Sequence, residues 1–154
     1  MPTRPTSVSP LETHLGYWLR YVSNQVSHAF ARKVATLDVT VAEWVMLREL
    51  YDADALAPSA LAERIGMTRG AISKLAERLC AKALVARTAS DDDRRYQSLA
   101  LTATGRALVP QLAALADAND AEFFGDLKPA ERKSIEAAMR GIVARHGFKT
   151  IPTE

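Results

Sequence analysis

The segment PSALAERIGMTRGAISKLAERLCAKA, residues 58–83, decides the fold. Pro58 suits the first turn of a short helix, because proline lacks the amide that would have no partner there. Gly66 ends that helix, and Thr68 is a suitable N-cap for the next one. The apolar residues of this second helix share one narrow arc of its surface: Ile72, Leu75, Ala76 and Leu79. Two helices joined by a tight, glycine-containing turn predict a helix-turn-helix.

The residues that follow change from a helical to an alternating pattern. LVARTAS (84–90) and YQSLALT (96–102) predict two strands, and the charged run SDDDRR (90–95) lies between them. Strand, charged loop and strand directly after a helix-turn-helix predict a β-hairpin wing.

Long helices are predicted on both sides of this segment. Apolar residues recur at steps of three and four from Leu11 to Ala35, which predicts one long amphipathic helix. Thr40 and Glu43 have capping-box spacing at the start of a second helix that should end around residues 52–55. Thr102 is expected to cap a further helix that reaches about Phe124 and bends at Pro110, and a last helix should run from near 129 to 147.

These elements predict a mainly α fold with a small β-hairpin wing, a winged helix-turn-helix flanked by long dimerisation helices. Residues 38–102 would form the DNA-binding region, and residues 11–37 and 103–146 a helical dimerisation region. A flexible leader, 1–10, and a C-terminal tail, 147–154, complete the chain. The terminal helices have broad apolar faces that one small domain cannot bury, so we expect a homodimer.

Composition excludes several classes of protein. With 154 residues, 48% hydrophobic and 25% charged, the chain fits one soluble domain, and charges interrupt its apolar stretches before they could span a membrane. A single cysteine, Cys80, excludes an internal disulfide and fits a reducing compartment, so a cytoplasmic location is expected. The three histidines lack zinc or triad spacing, and we expect no metal, no cofactor and no catalysis.

The outward arc of the helix after Thr68 is polar. The chain as a whole has a formal net charge of +2. Such an arc on an isolated helix is usually a solvated surface, but a helix-turn-helix with a wing favours contact with DNA. Arg69 is the expected reader of a base, because its guanidinium can bind guanine through two hydrogen bonds. The arc itself comprises Gly70, Ser73, Lys74, Glu77 and Arg78, of which Lys74 and Arg78 should neutralise phosphates and Gly70 allows the backbone close to DNA. Thr68, primarily a cap, can also meet a phosphate at the helix start.

The chain resembles the MarR/SlyA family of winged helix-turn-helix transcriptional regulators over nearly its whole length. The resemblance rests on VTVAEWVMLREL (39–50), SALAERIGMTRGAISKLAERLCAKALVAR (59–87) and DDDRRYQSLALTATGRAL (91–108). It implies that Asp93 braces Arg95, which enters the DNA minor groove, while Arg94 lies beside it and the helix after Thr68 enters the major groove. It also implies that Ser59, at the start of the preceding helix, can touch the DNA backbone.

Many members of that family bind small aromatic acids or phenols between the dimerisation helices and the DNA-binding lobe. The residues of this chain that could form such a site are Tyr17, Trp18, Tyr21, Trp44 and Arg48, although core and dimer packing is the alternative explanation for the aromatic ones. The sequence thus predicts a regulator that binds a pseudo-palindromic operator in double-stranded DNA, a repressor released by a small aromatic acid or phenolic effector. The alternatives are a winged-helix module for protein–protein interaction without an operator and, least favoured, a small enzyme.

Overall fold

A computed structural model describes residues 7–89 and 97–149. A 3₁₀ turn at Leu11–Thr13 comes first, followed within the described residues by α1 (Leu15–Ala35), α2 (Val41–Tyr51), α3 (Pro58–Ile65), α4 (Arg69–Ala81), β1 (Val85–Ala89), β2 (Gln97–Leu101), α5 (Ala103–Phe124) and α6 (Pro129–His146). The mainly helical fold with a two-stranded hairpin after α4 confirms the predicted winged helix-turn-helix.

The helix ends in the central region are those that the sequence predicts. Thr40 and Glu43 form a reciprocal capping box. The Thr40 amide donates to Glu43 Oε1 and the Glu43 amide donates to Thr40 Oγ1, both at 3.1 Å. Gly66 takes the left-handed conformation, with φ of 75°, at the end of α3. Thr68 Oγ1 accepts a hydrogen bond from the amide of Ala71 at 3.1 Å and caps α4. Two of these caps therefore fix the turn between α3 and α4.

The prediction of one continuous helix from Leu11 was wrong. The chain leaves the helical conformation at His14, with φ of −94° and ψ of 125°, so α1 begins only at Leu15. Thr13 Oγ1 donates to the carbonyl of Pro10 at 2.7 Å, and the His14 amide donates to the Leu11 carbonyl. These hydrogen bonds join residues three positions apart, so they compete with the i to i+4 hydrogen bonds of an α-helix and end the turn.

The hairpin is antiparallel and pairs Val85 with Leu101 at one end and Ala89 with Gln97 at the other. Leu56, just before α3, adds a bridge that the sequence did not predict: the amides of Leu56 and Leu99 donate to each other's carbonyls at 2.9 and 2.8 Å. This bridge attaches the start of α3 to the wing, so the helix-turn-helix and the hairpin form one packed unit.

The core lies between α2, α4 and the hairpin and extends along α5. Its fully buried side chains include Met46, Leu47, Leu50, Leu61, Ile72, Leu79, Leu99, Val109 and Leu112. The segment LTATG (101–105) anchors α5 to this core. Thr102 Oγ1 donates to the Ala83 carbonyl at 2.7 Å and accepts from the Gly105 amide at 3.0 Å. A Cβ atom on Gly105 would lie only 2.1 Å from the carbonyl oxygen of Leu84, so glycine permits this contact.

The flanking helices pack unequally on that core. Asn119, buried in α5, donates to the Val26 carbonyl of α1 at 3.2 Å and accepts from Lys33 at 3.0 Å, which joins the two helices. α6, which is described over its full length, buries none of its residues, and α5 continues through Pro110 without interruption. Among the described helices, none is both long enough and apolar enough to cross a membrane.

Candidate nucleic-acid interface

The helix α4 has one buried and one exposed side, as the sequence predicts. The apolar arc faces the core, and the predicted contact residues of this helix and its cap are all exposed: Thr68, Arg69, Gly70, Ser73, Lys74 and Arg78. Apart from its chain neighbours and the backbone of α4 itself, no atom would lie within 4 Å of a Cβ added to Gly70, so the outer side of the first turn of α4 is unobstructed. A polar and basic helix face that is free of neighbours is what a DNA groove can accept.

A groove of about 490 Å³ separates α4 from the hairpin. Ser59 at the start of α3, Arg69 and Ser73 on α4, and Arg87 and Gln97 on the two strands all line it. The structure therefore brings together three of the predicted contacts and places two cationic side chains along one groove. Guanidinium groups in such a position can bind phosphate oxygens through paired hydrogen bonds.

Arg87 and Gln97 were missed in the sequence, because the strand pattern there was used only to locate the hairpin. Their positions could have indicated a role, because a basic side chain and an amide side chain occur on strands that must pack beside the recognition helix. The predicted wing contacts Asp93, Arg94 and Arg95 lie outside the described residues. The strands before and after them, β1 and β2, are paired as a wing requires.

The predicted effector-site residues fall into separate groups within one protomer. Tyr17 lies between Trp18 and Tyr21, with ring centroids 5.2 and 6.3 Å away, and the latter two are 50% and 58% exposed. Trp44 packs instead edge-on against Phe30, at 6.4 Å. Because an α-helix rises 1.5 Å per residue, Tyr17 and Phe30 are about 20 Å apart along α1. One protomer therefore does not gather Trp44 with the other three aromatic residues.

Arg48, the predicted partner of an effector carboxylate, already pairs with a carboxylate of this chain. Its Nη1 lies 2.7 Å from Asp52 Oδ2, one helical turn away, and this hydrogen bond raises the pKa of the Arg48 guanidinium. The guanidinium also lies 5.8 Å from the ring centre of Tyr51, and Arg106 lies 5.3 Å from that centre. An incoming acid would have to compete with Asp52.

An ion pair between a buried carboxylate and a partly exposed lysine connects the end of α4 to the start of α2. Glu43 is 1% exposed, and Lys82 Nζ lies 3.0 Å from its Oε2 and 3.3 Å from its Oε1. The contact with Oε2 lacks hydrogen-bond alignment. Burial acts to raise the pKa of Glu43, but the hydrogen bonds from Lys82 and Thr40 together outweigh it and hold the pKa below its usual value. Glu43 is thus a buried anion whose charge is balanced by Lys82, the residue that follows α4.

Metal ligands do not gather in the described parts of the chain: no three His, Cys, Asp or Glu side chains there could hold one ion. Cys80 is a half-buried free thiol that packs against the core.

A recognition helix with an exposed polar face, a tight turn, and a hairpin beside it define a winged helix-turn-helix DNA-binding protein. The model of the MarR family matches residues 37–95. An HTH-type transcriptional repressor of Mycobacterium bovis is 30% identical over 81% of this chain and 90% of its own length. The chain belongs to the MarR family and is a transcriptional regulator of that family.

Solved structures agree with this assignment. BpsR of Bordetella bronchiseptica, whose DNA binding is regulated by 6-hydroxynicotinic acid, is 27% identical and superimposes with a TM-score of 0.79 over 88% of this chain and 97% of that one. A mutant MarR of E. coli complexed with operator DNA is 23% identical, with a TM-score of 0.77 over 84% of this chain and 93% of that one. The second likeness concerns the fold alone.

Proposed function

We propose that the protein is a homodimeric repressor that places one α4 helix of each protomer in successive major grooves of a pseudo-palindromic operator. The observation that carries this proposal is the exposed polar face of α4, which continues into a groove with Arg69 and Arg87 along it. The mycobacterial relative is named a repressor, which supports the direction of regulation. An interaction module would instead be expected to present an apolar face at α4.

The exposed polar side chains of this face other than Glu77 have roles in the proposal. Arg69, in the first turn of α4, reads a base edge, and Ser73, one turn later, can donate or accept a hydrogen bond. Lys74 and Arg78 neutralise phosphates, as Arg87 does from the wing strand. Helix starts favour anions, so phosphates also approach Thr68 and Ser59. Asp93, Arg94 and Arg95 retain the minor-groove role that the resemblance implies.

The homodimer is supported by exposed apolar residues at both ends of the chain. On α1 and the turn before it these are Leu11, Leu15, Trp18, Leu19 and Val22, and on α6 they are Ile135, Met139, Ile142 and Val143. Apolar side chains repeated along two helices indicate an interface rather than a solvated surface. A second copy of the chain is the occupant that the two-fold symmetry of an operator would require.

A small aromatic acid or phenol is the proposed effector. BpsR, whose DNA binding responds to 6-hydroxynicotinic acid, supports a ligand of this class. Since Tyr17, Trp18 and Tyr21 lie far from Trp44 and Arg48 within one protomer, a site that uses all five would draw them from two chains. Ligand binding would then favour a dimer whose recognition helices no longer match successive grooves.

The DNA part of the proposal is tested by fluorescence anisotropy with the DNA upstream of the protein's own reading frame, across a series of salt concentrations. We expect specific binding that weakens steeply with salt. Arg69→Ala should relax sequence preference by about 1–3 kcal/mol at one base pair, whereas Arg95→Ala should weaken binding to all sequences. Lys133→Ala, on exposed α6, is the matched control and should bind like the parent. Parent-like binding by both arginine variants would overturn the docking arrangement.

The effector part is tested separately by calorimetric titration with salicylate and 6-hydroxynicotinate, followed by anisotropy at saturating ligand. We expect heat of binding and loss of DNA affinity, both reduced in Trp44→Ala. Titrations without heat and without any change in DNA affinity would contradict this part and leave the DNA-binding proposal intact.

A further inference from the structure

Lys82 follows the last residue of α4 and connects the recognition helix to the corner between α1 and α2. Its Nζ donates to the backbone carbonyl of Asp38 at 2.6 Å and lies 3.0 Å from Glu43 Oε2. Asp38 adopts the left-handed conformation, with φ of 57°, in the turn between α1 and α2. One ammonium group therefore contacts both this turn and the start of α2 from the end of α4. We call Lys82, Asp38 and Glu43 the corner clamp.

The corner clamp differs from the rest of the α4 contacts in being directional. Ile72, Leu75 and Leu79 attach α4 through apolar packing, which is strong but largely independent of orientation. The ammonium group must satisfy a carbonyl and a carboxylate at fixed distances, and Glu43 is held by its own capping box with Thr40. Because a buried carboxylate without its cation is costly, small rotations of α4 that separate Lys82 from Glu43 are opposed.

Small rotations of α4 matter because the clamp and the DNA-reading residues lie at opposite ends of the helix. The 13 residues of α4 span about 20 Å at 1.5 Å per residue. A tilt of about 20° around the apolar contacts in the middle of the helix would move each end by about 3 Å. Such a tilt would separate Lys82 from Glu43 and would move Arg69 by a distance close to the rise of about 3.4 Å between base pairs. Control of this angle is thus control of register on DNA.

We propose that Lys82 is a positioning residue, which through the corner clamp fixes the angle of α4 against the α1–α2 corner and thereby sets the half-site spacing that the dimer accepts. The inference rests on the proposed function as a dimeric operator-binding protein. Lys82 acts here through the direction of α4, without itself contacting DNA.

The first test measures spacing preference. A duplex selected by the parent protein from a random pool is lengthened or shortened by one base pair between its half-sites, and affinities are measured for Lys82→Met and Glu43→Gln. We expect the preference for the parent spacing to fall by about tenfold in both variants, since specificity is a difference of affinities. Lys133→Met removes the same charge from exposed α6 and should keep the full preference.

Two results of this test would overturn the proposal. One is a uniform loss of affinity at every spacing with a shallower salt dependence, which would make Lys82 a phosphate contact. The other is an unchanged spacing preference in folded variants of lower stability, which would make the clamp merely structural. If Lys82→Met does not fold, Glu43→Gln decides the matter, because glutamine retains an oxygen to accept from the Thr40 amide.

The second test needs neither DNA nor the dimer. Spin labels at Arg20→Cys and Glu77→Cys, in a Cys80→Ser background and diluted with unlabelled chain, report the distance between α1 and α4 within one protomer. A broader distance distribution in Lys82→Met than in the parent supports the clamp, and an unchanged one overturns it. A parent that selects no duplex would refute the proposed function, while this measurement would still decide on the clamp.

Discussion

Gly105 lies in the first turn of α5, where the helix meets the backbone of Leu84. A Cβ atom there would come within 2.1 Å of the Leu84 carbonyl oxygen, and backbone cannot move aside as a flexible side chain can. We expect Gly105→Ala to lower the free energy of unfolding by about 1–3 kcal/mol through overpacking. Urea denaturation followed by circular dichroism measures this change.

Gly70→Ala is the matched control for that substitution, because Gly70 also lies in the first turn of a helix but with open space around its Cβ position. Alanine there should raise the free energy of unfolding by about 0.5–1 kcal/mol, since it restricts the unfolded chain and favours the helix. Equal effects of the two substitutions would show that the contact with Leu84 does not constrain residue 105.

The stability of the protein should depend on pH through Glu43. Its pKa in the folded protein is lower than the ordinary value of 4.5, so its carboxylate stabilises the fold above that value, and this contribution is lost as the pH falls through the folded pKa. Glu43→Gln should therefore show a smaller loss of unfolding free energy than the parent on acidification from pH 6 to pH 3. Parallel curves for the two proteins, measured by urea denaturation across this range, would refute the assignment.

The sequence identifies Glu43 as a capping residue but not as a buried ion. The capping role is local, since three residues separate it from Thr40, and a fixed spacing encodes it. Lys82 is 39 positions away along the chain, and no periodic pattern relates the two residues. Arg69 and Ser73 could be predicted as exposed because helical periodicity assigns them to the polar side of α4.

The end of α4 is strained. The Leu84 amide donates to the Leu79 carbonyl and the Ala83 amide to the Cys80 carbonyl, which is the Schellman arrangement that usually has glycine where Ala83 lies. Ala83 has φ of 58°, a conformation that costs a residue with a Cβ about 1–2 kcal/mol. We expect Ala83→Gly to raise the free energy of unfolding by about 0.5–1 kcal/mol once the greater freedom of glycine in the unfolded chain is subtracted.

Ala81→Gly provides the comparison for this helix end, because residue 81 still belongs to α4 and has no need of glycine. It should lower the free energy of unfolding by about 0.5–1 kcal/mol in the same denaturation experiment. Destabilisation by both substitutions would show that Ala83 is not strained.

Helix boundaries could be predicted wherever a residue with a special backbone or capping role marked them. Pro58, Gly66 and Thr68 did so for α3 and α4, and the structure confirms all three. His14 carries no such mark, and the apolar spacing continues through it, so the break before α1 was missed. The bridge to the wing involves one residue on this side, Leu56, and a single residue is too short to show an alternating pattern. Arg87 was missed as a site residue because its groove exists only after the hairpin packs on α4.

The helices are unequally buried, so the residues that stabilise the protomer differ from those that are exposed for association with a second copy. The core around α2, α4 and the hairpin is formed within one protomer. The helix α6, all of whose residues the structure describes, has no buried residue in that protomer. Substitutions on α6 should therefore change association without changing the fold of the DNA-binding lobe. This separation makes the proposed dimer testable with point variants rather than truncations.

Met139 lies near the centre of the exposed apolar face of α6, between Ile135 and Ile142, and is 46% exposed in the protomer. Met139→Glu would place a charge in the proposed interface, so we expect the dimer dissociation constant to rise by about 100-fold or more. Sedimentation velocity over a concentration series measures it, and the far-ultraviolet circular dichroism should stay that of the parent. Lys133→Glu, on the polar side of the same helix, should leave the dimer intact. A Met139→Glu protein that sediments as a dimer wherever the parent does would exclude this face of α6 from the interface.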